Sequence, residues 1–117
     1  MEDLSVDLYE LEELFKTVKP SCFILVSVLG LVPKMNEITD LCKKYDVILI
    51  EDCCESLGSE YSFYKPNDHN IPKCFHKKLG SFGHMSVFST YYGHHISTVE
   101  RSVLSAQIMK NCINSYS

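Results

Sequence analysis

The sequence has no stripe of basic residues, no CxxC pair, no basic start followed by an apolar run, and no apolar stretch approaching the length of a membrane span. Each absence excludes something. Phosphate backbones are bound through clustered Lys and Arg; here 11 such residues are scattered through a chain of net charge −4, so nucleic acid is not an expected partner. Thioredoxin-like sites and zinc ribbons need cysteines at fixed short spacings. The six present (Cys22, Cys42, Cys53, Cys54, Cys74 and Cys112) offer only the adjacent pair Cys53-Cys54. The longest apolar run, Cys22 to Val32, is interrupted by Ser27 and Gly30 and falls short of a bilayer crossing. With acids rather than bases near its start, the chain reads as a cytoplasmic protein whose thiols stay reduced and serve mainly as small buried hydrophobes.

What is there points to one α/β unit. At 117 residues, 45% hydrophobic and 22% charged, the chain matches a single globular domain. Leu8, Leu11, Leu14 and Phe15 recur at helical spacing behind Asp7, a suitable N-cap, and Lys19-Pro20 ends the pattern. Cys22 to Val28 is apolar throughout, as expected of a central parallel strand buried on both faces. After Gly30 and Pro33, a second helix is marked by Met35, Ile38, Leu41, Cys42 and Tyr45, with Lys43 and Lys44 near its C-terminus. Val47 to Glu55 then reads Val-Ile-Leu-Ile-Glu-Asp-Cys-Cys-Glu, a buried strand running into acids. Strand, helix and strand over about 30 residues form a βαβ unit, and ligands bind beyond the carboxyl ends of such strands, where Asp52 falls.

Beyond Glu55 the pattern weakens. Residues 62–78 hold two prolines and no period, and read as a long inserted surface loop. Met85 to Ser89 reads as a third short strand, and Ser102 to Ser117 as a final helix through Leu104, Ile108, Met109 and Cys112. Cys74, His76, His69 and His84 are neighbours in sequence but match no standard zinc spacing, so no metal site is expected.

Three segments in succession carry a resemblance: Ile-Glu-Asp-Cys-Cys-Glu-Ser-Leu-Gly-Ser at 50–59, Leu-Gly-Ser-Phe-Gly-His at 79–84, and Phe-Ser-Thr-Tyr-Tyr-Gly-His-His-Ile-Ser at 88–97. Together they resemble the DegT-type pyridoxal-phosphate-dependent nucleotide-sugar aminotransferases and dehydrases. The resemblance runs from about Val6 to Glu100 and implies part of a fold type I, aspartate-aminotransferase-like large domain. It implies that Asp52 pairs with the protonated pyridine nitrogen of pyridoxal or pyridoxamine phosphate, which keeps the ring an electron sink. It also implies that Ser89 donates to the cofactor phosphate and that Glu55 borders the cofactor. Where most members carry the lysine that binds the cofactor covalently, this chain has His94, followed by His95. That substitution resembles the sugar dehydrase branch, in which the cofactor is held non-covalently and a histidine is the base, a role suited to imidazole near neutral pH.

A nucleotide sugar as substrate and a homodimer as the assembly are further implications. The chain departs from the family where a glycine-rich segment reads Ser-Thr-Val-Glu-Arg-Ser at 97–102, and no N-terminal Gly-rich phosphate cradle is present. Whole relatives are several-fold longer, so residues 1–117 read as a single partial cofactor-binding domain, an internal fragment of such an enzyme. The alternative is a non-enzymatic remnant or interaction module of the same fold.

Overall fold

The computed structural model describes residues 5–66, 72–89 and 103–106. Its first helix, α1 (Leu8–Val18), starts where Asp7 accepts hydrogen bonds from the Tyr9 and Glu10 amides at 2.8 and 3.0 Å, satisfying two of the donors that a helix start leaves open. It ends at Lys19 in the left-handed conformation. Leu11 and Phe15 are buried, whereas Leu14, read as part of the apolar stripe, is 54% exposed. The second helix, α2 (Met35–Lys44), buries Met35, Ile38 and Cys42, as its spacing predicts. Glu12 joins the helices, accepting from Lys44 Nζ at 2.7 Å and from the Tyr45 hydroxyl at 2.9 Å. Phe15 meets Tyr45 and Phe23 edge-to-face, closing the seam between the helices and the sheet.

Strands β1 (Cys22–Val26), β2 (Ile48–Asp52), β3 (Glu60–Pro66), β4 (Pro72–Lys78), β5 (Met85–Ser89) and β6 (Val103–Ala106) form two sheets. The larger has the order β1-β2-β5-β6, with β1, β2 and β5 parallel and β6 antiparallel to β5. Two expectations are corrected here. Residues 62–78 belong largely to an antiparallel hairpin, β3 with β4, paired from Glu60↔Lys78 to Pro66↔Pro72. Its prolines form the last pair of the ladder, where they interrupt little of it, and the stacked pairs Tyr61–Phe63 and Phe63–Phe75 supply an aromatic face. The stretch read as a final helix contributes strand β6 at Val103–Ala106; the rest of it, residues 107–117, lies outside the described residues.

The third correction concerns burial. Register places Cys22, Ile24 and Val26 beside Ile48, Ile50 and Asp52, and Ile50 and Asp52 beside Met85 and Val87, with Ser89 two residues further along β5, all on one face of the sheet. The other face presents Leu25, Leu49 and Cys53 to Leu11, Phe15, Met35, Ile38 and Cys42 of the helices. Among the described residues nothing layers the first face, and Ile24 and Val26 are 60% and 55% exposed. The unbroken apolar runs of β1 and β2 predicted two buried faces; these strands bury one.

What fixes β5 beside β2 is a carboxylate. Glu51 is 1% exposed, on the helix-covered face, and accepts from the backbone amides of Gly80 (2.7 Å), Phe82 (2.6 Å) and Gly83 (2.5 Å). The loop can approach this closely because Gly83 lacks a side chain: a Cβ there would lie 2.7 Å from the Leu49 carbonyl oxygen. His84 completes the join, its amide donating to Leu49 O at 2.8 Å while its Nδ1 accepts from Leu49 N at 3.1 Å. Replacing Glu51 by Gln turns one acceptor into a donor facing backbone N–H, and urea denaturation at neutral pH is expected to register a loss of about 1–3 kcal/mol. Glu51→Ala, which abandons all three amides, should cost more; a midpoint unchanged in both variants would show that the loop is held by other means.

Candidate functional site

The carboxyl ends of β1, β2 and β5 form one edge of the larger sheet. Asp52 ends β2 and Ser89 ends β5. Since Asp52 stands opposite Val87, Ser89 lies two residues further along the neighbouring strand, on the same open face. Strand spacing and rise put the two Cα atoms about 8 Å apart. Both side chains are half-buried. The backbone around Asp52 is tied on both sides, Ser27 N donating to Asp52 O at 3.0 Å and Cys53 N to Val87 O at 2.9 Å. Asp52 Oδ1 accepts from Cys54 N at 3.1 Å, a local turn that aims the carboxyl group along the edge.

The loops after β1 and β2 are laced together. Leu29 and Gly30 both have positive φ, 54° and 76°, in the tight turn Val28–Gly30. Glu55 Oε2 accepts from Leu29 N at 2.9 Å, holding that strained turn from outside. Ser56, 1% exposed, donates its hydroxyl to the Ser27 carbonyl at 2.5 Å, and Ser59 Oγ donates to Gly30 O at 3.3 Å. Glu55, expected beside a cofactor, thus borders the edge and shapes the β1 loop. His94 and His95 lie outside the described residues.

Sequence reasoning missed Glu51, Ser56 and Ser59. A buried Glu next to an Asp has no separate sequence signal except parity, since consecutive strand residues face opposite sides. The two serines fall inside the quoted 50–59 segment but gave no cue to their carbonyl partners, which lie 29 residues away. Among the described residues no group of three or more His, Cys, Asp or Glu side chains gathers to hold a metal ion. No helix there is long and apolar enough to cross a membrane.

Such an edge, with an acid ending the middle of three parallel strands and the helices banked on the opposite face, is the strand-end position at which open α/β sheets generally receive ligands. The crystal structure of a DegT/DnrJ/EryC1/StrS aminotransferase from Brucella abortus has this fold: the two superpose with a TM-score of 0.66 at 22% identity, over 87% of this chain and 26% of that one. The chain belongs to the DegT/DnrJ/EryC1/StrS aminotransferase family, whose profile matches residues 1–103. GDP-4-keto-6-deoxy-D-mannose 3-dehydratase of Escherichia coli O55:H7 is 33% identical over 97 residues, 83% of this chain and 21% of that protein. A solved structure of the E. coli 3-dehydratase with bound hydrated PLP superposes with a TM-score of 0.63 at 31% identity, covering 88% of this chain and 23% of that one. The chain thus spans about a fifth of the length of the curated relatives it matches.

The thiols around this edge resist ionisation. Burial, then the nearby Glu51 and Asp52 carboxylates, pushes Cys53 up to about 12. Cys54 rises to about 11 through burial and its contact with Asp52; away from this edge, on α2, burial lifts Cys42 to about 11. A thiol whose folded pKa exceeds its unfolded value contributes stability below the unfolded pKa and loses it as pH rises toward the folded one. The thermal midpoint should therefore fall between about pH 9 and pH 12, and Cys53→Ala should flatten that decline. An unchanged slope in the variant would place the alkaline sensitivity elsewhere.

Proposed function

We propose that this chain provides the ring-nitrogen and phosphate anchors of a pyridoxal or pyridoxamine phosphate site for the remodelling of a nucleotide-linked sugar, in the manner of the 3-dehydratases. One observation carries the reading: Asp52 and Ser89 occupy the same open face at the carboxyl ends of adjacent parallel strands. The cofactor needs a carboxylate at one side of its ring and hydrogen-bond donors at its phosphate, and these two side chains fit those needs.

When bound, the cofactor supplies an electron sink for carbanion chemistry. Asp52 keeps the ring nitrogen protonated, because a carboxylate beside it favours the charged form. The Ser89 hydroxyl would donate to a phosphate oxygen, a modest contact. Glu55 would act at one remove, by holding the Leu29–Gly30 turn at the end of β1. His94 takes and returns a proton through an imidazole nitrogen near neutral pH, and forms no covalent link to the cofactor. A second copy in a homodimer, as the family resemblance implies, would supply further contacts to the cofactor.

Titrating the purified chain with pyridoxal phosphate, and separately with pyridoxamine phosphate, should induce circular dichroism in the cofactor's absorption band. Asp52→Ala should weaken binding about tenfold or more, the cost of a charge-assisted hydrogen bond. Absence of any induced signal, or identical binding by the variant, rejects the cofactor reading and favours a non-catalytic module of the same fold.

A further inference from the structure

The hairpin β3–β4 has two unlike faces. Tyr61, Phe63 and Phe75 stack on one, and Phe82 closes against Tyr61 edge-to-face. On the other face, Ser62 stands directly opposite His76, and Cys74 is two residues from His76 on the same strand. Cys74 and His76 were neighbours in sequence with no assignable role; the pairing register brings Ser62 to them. His76 Nδ1 lies 2.9 Å from Ser62 Oγ, and its Nε2 lies 3.6 Å from Cys74 Sγ. All three side chains are exposed.

The order of contacts is that of a nucleophile, a base and an orienting group. Ser62 can accept from Nδ1–H, and that leaves Nε2 as the acceptor for the thiol proton. Once the proton has moved from Sγ to Nε2, the imidazolium donates at both nitrogens, to Ser62 Oγ and to the thiolate, so neither state strands a donor. Lys78 and Glu60, paired opposite each other, are the other charged residues of that face, and Tyr64 is opposite Cys74 in register.

We propose that Cys74 is a reactive thiol, activated by His76 with Ser62 positioning the imidazole, that undergoes exchange with low-molecular-weight disulfides. The Cys74 proton passes to His76 Nε2, and Sγ attacks one sulfur of the small disulfide. The S–S bond breaks as the new Cys74–S bond forms, and the leaving thiolate takes the proton from the imidazolium. One disulfide and one thiol are consumed, and one mixed disulfide and one thiol are produced, with no external oxidant or reductant. The site is separate from the sheet edge carrying Asp52, whose own neighbouring thiols Cys53 and Cys54 are held protonated by burial.

Cys22 provides an internal reference, being exposed like Cys74 but on β1. Limited alkylation of the full chain with iodoacetamide near pH 7, read by peptide mass spectrometry, gives the rate at each cysteine. An ordinary thiol is only about a few per cent thiolate at that pH, and stabilised thiolates lose some nucleophilicity. The expected advantage of Cys74 over Cys22 is therefore about three- to tenfold. His76→Gln should bring Cys74 down to the Cys22 rate without altering Cys22, and Ser62→Ala should lower it in part while Ser62→Thr restores it. Oxidised glutathione should add its thiol mass to Cys74 first. Equal rates at Cys74 and Cys22 in the unsubstituted chain, or a Cys74 rate untouched by His76→Gln, overturns the proposal. An unchanged Cys22 rate and melting curve in each variant separates loss of activation from loss of fold.

Discussion

The structure depends on a buried carboxylate. Glu51 gathers three amides of the loop at 80–83 and so decides where β5 starts, how it registers on β2 and which of its residues reach the far edge. Without that attachment the loop would carry three inward-facing donors with no acceptor, a cost comparable to a sizeable share of a small domain's stability. Gly83 belongs to the same device: its missing side chain is what lets the loop lie against Leu49. The edge that carries Asp52 and Ser89 is a downstream product of this interior contact, since Ser89 reaches its place beside the Asp52 turn only through the register set five residues earlier.

Much of the architecture could be read from the sequence wherever a periodic signal met a tight local rule. Asp7 as a cap, the stripe of α2, the strand ending at Asp52 and the short strand ending at Ser89 are all present. The failures share a physical cause. Residues 62–78 lack alternating apolar residues because their hairpin is held by stacked rings on one face and polar pairs on the other, so prolines and charges obscured it. Ile24, Val26 and Ile48 announced burial that these residues do not achieve, because hydrophobicity records what a strand is suited to pack against, and the packing partner need not lie nearby in the chain. Leu14 failed for the simplest reason: helical spacing marks a stripe, and how wide a stripe the sheet covers is a tertiary matter. Of the candidate site, Asp52 was read from its strand-end position and Ser89 from the family resemblance alone, whereas the serine ties of the loops depended on contacts between distant segments.

Family membership and partial coverage give the open sheet face a coherent place. A chain spanning about a fifth of its relatives' length carries a βαβ core whose helices cover one side, while the side bearing Asp52 and Ser89 remains uncovered by the described residues. The apolar side chains there and the polar pair at the rim belong to a single surface, so whatever polypeptide covers the first would also wall in the second. Completing the hydrophobic layer and walling in the rim that carries Asp52 and Ser89 are then one event.

Glu51 and Asp52 are joined by a single peptide bond and look in opposite directions. The strand's parity divides their positions: Glu51 gathers the amides of the loop at 80–83 on the helix-covered face, and Asp52 stands on the open one. A one-residue slip of this strand would exchange the two, leaving the loop's donors without their acceptor and turning Asp52 inward.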